Sequence, residues 1–207
     1  MTFNLTDFMI NFLYCFVTNI KIGLLSLAAG FVLGVPFAFA LRHQFRVNSL
    51  IKMTLALFRS FPVYILMFIV FNKINNDEFL PGYTDYAIRL IAVVVAISVY
   101  TTAAVCDATS DCLSHIANKN TAQPYLIVPN VFRIFTLAMM SSSIGAALDV
   151  SEAVSYTVRV YESFPDRADR FLLVLGVTIF FAIVQHSLKI LVLLLSQLIQ
   201  RSIQKTS

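Results

Sequence analysis

Residues 22–41 read IGLLSLAAGFVLGVPFAFAL, an uninterrupted run without a formal charge. Two further windows share that property: residues 90–106, LIAVVVAISVYTTAAVC, and residues 171–188, FLLVLGVTIFFAIVQHSL. A hydrocarbon core of about 30 Å needs roughly 20 apolar residues as helix, so these runs fit spanning helices better than soluble core helices. Working outward from them, the changes in polarity define five spans, near residues 18–41, 53–71, 87–106, 125–148 and 171–198, with an amphipathic entry over 3–16 ahead of the first. The expected architecture is an all-α membrane protein, one transmembrane domain of five helices covering residues 1–207.

Composition agrees. Of the 207 residues 58% are hydrophobic and only 13% charged, 19 are Phe, and the mean hydropathy is +0.80, too greasy for a soluble domain and short for two domains. The formal charge of +4 is scattered over loop ends, so it describes topology rather than a nucleic-acid surface. Three cysteines, Cys15, Cys106 and Cys112, sit in or beside spans and require no disulfide. The N-terminal residues lack the basic region and cleavage site of a signal peptide, so the first span is expected to serve as its own insertion signal.

Orientation follows from Lys and Arg near the span ends. With the N-terminus outside, Arg42, Arg46, Lys52, Lys119, Arg133, Arg201 and Lys205 fall inside, against Lys73, Arg89, Arg159, Arg167 and Arg170 outside. The C-terminus is then cytoplasmic. Asp149, Glu152 and most other acidic residues fall outside.

Arg59 is the most informative charge. An arginine at the centre of a span costs about 2.5–3.5 kcal/mol on insertion scales, so it either faces a polar cavity or snorkels to the nearer headgroups. Pro62 frees a backbone carbonyl at the same depth and is expected to kink the helix. In the last span, Gln185 and Lys189 share a helical face, with His186 beside them; that stripe points to burial against protein, the alternative being a lysine reaching for headgroups. Gly30 and Gly34 make a GxxxG spacing and Gly23 adds a third small residue, the pattern by which membrane helices pack closely. Ser141, Ser142 and Ser143 either line a path for a zwitterion or bond back to carbonyls a turn earlier. Cys106, Cys112 and His115 do not have zinc spacing, and neither a phosphate loop nor a nucleophile with its base is present, so neither a metal site nor an enzyme is expected.

Four segments together resemble the permeases of polar amino-acid ABC importers. LYCFVTNIKIGLLSLAAGFVLGVPFAFALR at 13–42 looks like their first span, and FRSFPVYILMFIVF at 58–71 resembles a second span led by Phe-Arg-Gly-Thr-Pro. YLIVPNVFRIF at 125–135 is similar to the segment after their coupling loop, and SSSIGAALDVSEAV at 141–154 resembles a Thr-Ser-Leu stretch ending in a glutamate like Glu152. The order holds over nearly the whole chain. The resemblance implies a type I ABC importer fold in a bacterial inner membrane. It also implies a second permease subunit, an ABC ATPase dimer that holds the ATP, and an extracytoplasmic substrate-binding protein, with no cofactor on this chain. It adds Tyr100 to a substrate pathway of Arg59, the three serines, Gln185 and Lys189.

The departures share one theme. Where the family carries Glu and then Arg-Gly after Ala-Tyr, this chain has Ala103, Cys106 and Asp107. The connecting segment DATSDCLSHIANKNTAQP, residues 107–124, lacks the family's Glu-Ala-Ala and glycine. Within it, Ser110 as cap, Asp111, Leu113, His115 and Ile116 make a minimal helix for docking an ATPase, or else a solvated turn. These losses favour a heterodimer in which the partner permease carries the coupling. The alternative is a degenerate, non-coupling subunit with a structural, regulatory or sensing role.

Overall fold

The first span and its expected amphipathic entry are one helix, α1 (Leu5–Arg42). Neither glycine nor proline occurs between Leu5 and Ile22, so nothing ends the helix there. At 1.5 Å per residue it is about 57 Å long, well beyond the hydrocarbon thickness. The computed structural model describes residues 4–42, 48–76, 82–117 and 127–204. Arg46, Lys119, Lys205 and the start of the expected fourth span lie outside the described residues.

The expected second span is two helices, α2 (Asn48–Ser60) and α3 (Val63–Asn76), bent by 100° at Phe61-Pro62. Pro62 explains where the break falls, because it has no N–H to continue the ladder. The size of the bend comes from packing. Ile51 and Leu55 of α2 are buried with Ala38, Ala103 and Cys106, whereas Met67 of α3 is buried among Ala92, Val93, Ala96 and Ile97. Each arm therefore docks at its own level on α4 (Asp85–Ala117).

Contacts between α1 and α4 show that the bent pair recrosses the bundle. Ser26 Oγ donates to the Val94 carbonyl (3.2 Å), Gly30 abuts Thr101, Gly34 abuts Thr102 and Cys106, and Arg42 donates to the Leu113 carbonyl (3.0 Å). Both sequences advance in the same direction, so α1 and α4 are parallel neighbours, and α2 with α3 must carry the chain back. Four helices are long and apolar enough to cross a membrane, and the bent pair makes the fifth crossing. The protein is an all-α membrane protein.

α4 runs through the stretch from Ser110 to Ile116 without interruption, and Ser114 Oγ donates back to the Ser110 carbonyl. The expected separate docking helix, capped by Ser110, is thus the last two turns of α4. No Gly or Pro separates it from the span. The fourth crossing begins as α5 (Ile127–Ser141) and tightens into a 3-10 turn over Ser142–Leu148. Hydroxyls at Ser142 and Ser143 donate to the Met139 and Met140 carbonyls, competing with the regular ladder there. Asp149, with φ 56°, ends the turn.

A short helix absent from the sequence reading, α6 (Ala153–Ser163), follows, and α7 (Arg167–Gln204) closes the chain. Phe12 and Phe16 of α1 hold α7 through Phe180 and Phe181, edge to face, with centroids 5.1–6.3 Å apart, and Phe8 stacks on Phe12 and on Tyr156 of α6. Otherwise α7 presents a largely exposed apolar surface, as expected of a helix facing lipid or another subunit.

Candidate functional site: an open charged cavity and a closed polar network

Toward the C-terminal end of α4, a cavity of about 280 Å³ is lined by Arg59, Tyr100, Asp107, Asp111, Asn130 and Arg133, with Ala103, Ala104, Ala108 and Ile134 between them. Asp107 and Asp111 are one turn apart on α4 and share a face. Arg59, in the last turn of α2, reaches Asp107 at 2.5 Å. Both side chains remain about half exposed, at 46% and 56%. Arg133 comes from α5, which runs antiparallel to α4 and brings its first turns to this level. Among the described residues neither Arg133 nor Asp111 has an ionic partner. The cavity therefore offers a cation and an anion of its own besides the pair that closes one flank.

Arg59 lines this cavity, with Tyr100 beside it. Ala103 lines the cavity one turn before Asp107, the residue that takes up the guanidinium.

At the other end of the bundle a second polar assembly is closed. Asn19 Nδ2 donates to Ser142 Oγ (2.8 Å) and Glu152 Oε2 (2.9 Å), and Asn19 Oδ1 accepts from the Ala153 N–H (3.0 Å). Glu152 also accepts from the Val154 and Ser155 N–H groups and so caps α6. All three side chains are fully buried. Burial pushes the Glu152 carboxyl above the ordinary carboxylate range, opposed by the hydrogen bonds from Val154, Asn19 and Ser155. Nearby, Asp149 takes Arg159 at 2.8 Å and Arg89 at 3.6 Å, tying the 3-10 turn to α6 and α4.

The remaining expected site residues are dispersed. Ser142 belongs to the closed network and Ser141 ends α5. Ser143 and Gln185 meet in a separate cavity of about 330 Å³ with Met140, Thr178 and Phe181. Lys189 and Gln185 are exposed in this chain, and α7 packs on it through its phenylalanine face. Asp111 turns into the charged cavity, while Ile116 is 54% exposed at the end of α4. The GxxxG expectation holds: Gly23 abuts Met139 of α5, and Gly30 and Gly34 abut α4.

No protein-family model matches the sequence, and no curated protein matches it. Among solved structures the chain is similar to an amino acid ABC transporter crystallised with histidines, with a TM-score of 0.74 over 95% of this chain and 99% of that chain. The chain has a permease-like fold. Sequence identity is 12%, so the likeness is one of fold. In that fold the charged cavity lies toward one end of the bundle, and the buried Asn19–Glu152 network lies toward the other.

Proposed function

We propose that the chain is a transmembrane subunit of an ABC importer for polar amino acids, seated in a bacterial inner membrane with its N-terminus outside and its C-terminus in the cytoplasm. The observation that carries this reading is the permease-like fold over 95% of the chain. A cavity in which Arg133 and Asp111 stand without ionic partners among the described residues adds chemical support. A zwitterion brings a carboxylate and an ammonium, and the cavity holds a charge of each sign to pair with them. About 280 Å³ admits one small polar solute.

On this reading the subunit pairs with a second, better-coupled permease, receives substrate from an extracytoplasmic binding protein, and is driven by an ATPase dimer that holds the ATP. The exposed face of α7 and the half-exposed charges of the cavity suit coverage by such a partner. The test is to purify the tagged chain in mild detergent, identify the chains that copurify, and reconstitute the complex in proteoliposomes. A copurifying ATPase and a second permease, with ATP-dependent uptake of an amino acid that falls at least tenfold in Arg133→Leu, are the expected results. Recovery of the chain alone, or of a homodimer with full ATP-driven uptake, would overturn the corresponding part.

A further inference from the structure

The geometry points to Arg59 and Asp107 as a latch that holds the α2 arm against α4 and closes one flank of the charged cavity. The two arms of the broken crossing are held very differently. α3 buries Met67 completely in the main core, with Val63, Leu66, Phe68, Val70 and Phe71 packed round it. α2 buries only Ile51 and Leu55, and leaves Leu50, Met53 and Leu57 exposed on its other side. Between them lies the break at Phe61-Pro62, where no helical ladder has to be broken for α2 to swing. Arg59, in the last turn before that break, is where a single tie has the most leverage on the arm.

The tie is built to be exchanged rather than to be permanent. Both side chains are about half exposed, so water and solute ions reach them. The same cavity contains alternative partners of each sign: Asp111, one turn from Asp107, for the guanidinium, and Arg133 for the carboxylate. Release of the latch therefore leaves neither charge stranded, and that is the condition under which an ion pair can act as a two-state element instead of a fixed brace. The inference concerns the docking of α2 and does not depend on what crosses the membrane.

Beneath α2 lies a built-in reporter. Cys106 is 1% exposed and is covered by Ile51 and Leu55, together with Ala38 and Ala103. In a chain carrying Cys15→Ala and Cys112→Ser, the rate at which N-ethylmaleimide modifies Cys106 in native membranes reports how often α2 lifts. Arg59→Leu and Asp107→Asn are each expected to raise that rate about three- to tenfold, and the exchange Arg59→Asp with Asp107→Arg to bring it back toward the parent value. Yield and elution profile in mild detergent establish that each variant is folded before labelling is read. Labelling unchanged in both single variants would overturn the latch. So would labelling raised to the same degree in the exchanged pair, which would mean the side chains act by packing alone. Loss of uptake with unchanged labelling would place Arg59 in the pathway but not in a latch.

Discussion

Replacing Gly34 by alanine should separate α1 from α4, and the structure sets the size of the effect. A Cβ at this position would lie 2.6 Å from the Thr102 carbonyl oxygen and 3.0 Å from both the Cys106 nitrogen and the Val105 Cβ. Ordinary contact begins at 3.4 Å, so the helices must part by about 0.8 Å. Two of the three obstructing atoms are backbone and cannot rotate away. The movement also stretches the two hydrogen bonds beside the contact, Thr101 Oγ1 to the Ser26 carbonyl at 2.7 Å and Ser26 Oγ to the Val94 carbonyl at 3.2 Å. Overpacking costs about 1–3 kcal/mol, and each interhelical hydrogen bond in a membrane adds about 0.6 kcal/mol. A loss of about 2–4 kcal/mol is expected, read by circular dichroism as a fall in the SDS fraction needed to unfold the protein in mixed micelles. Gly30→Ala should cost a similar amount, because its added carbon would lie 2.6 Å from the Thr101 hydroxyl, which is held by the Ser26 carbonyl, and 3.0 Å from the Thr101 carbonyl carbon. Gly176→Ala is the control, having no atom within 4 Å of the added carbon. If Gly34→Ala unfolds at the same SDS fraction as Gly176→Ala, the close-packing argument is wrong.

Glu152→Ala should cost about 2–4 kcal/mol in the same titration, because it leaves the Val154 and Ser155 N–H groups buried without an acceptor and removes the cap of α6. Faster proteolysis within α6 should accompany that loss. Because burial raises the folded-state pKa of Glu152, its contribution is fully present below the ordinary carboxylate range and is lost as pH rises through the raised value. A pH series of unfolding midpoints should show that decline in the parent protein and a flatter profile in Glu152→Gln.

What the sequence disclosed depended on whether the signal was local. The GxxxG spacing and the apolar runs are periodicities within one helix, and both survive in the structure. Pro62 marked the place of a break, but its 100° came from Leu55 and Met67 docking at different levels of α4, which no local pattern encodes. Asp107 stands 48 residues from Arg59. Read alone, it looked like the loss of a family residue rather than the gain of a partner. Glu152 is flanked by Asp149 and Ser151 and so read as an outer-loop acid, yet it is fully buried because Asn19, from the first helix, meets it. The helical face of Lys189 was legible, but which face α7 turns toward the rest of the chain was decided by Phe12 and Phe16 on another helix.

The two polar assemblies differ in a way that bears on which end of the bundle moves. In the Asn19–Glu152 network each polar atom is matched, the side chains are sealed from solvent, and opening it would strand a carboxylate together with backbone N–H groups. Buried groups satisfied so completely resist rearrangement, since no intermediate arrangement keeps their partners. The Arg59 cavity has the opposite character: its ions are half exposed, charges of both signs lie within one cavity, and one wall is an arm held by two buried side chains. There a change of partner costs little, because water or a neighbouring ion replaces what is lost. The polar ties beside the α2–α3 break are thus the more easily exchanged of the two sets. Ala103 and Asp107 line the same cavity as Arg59, which stands two residues before that break.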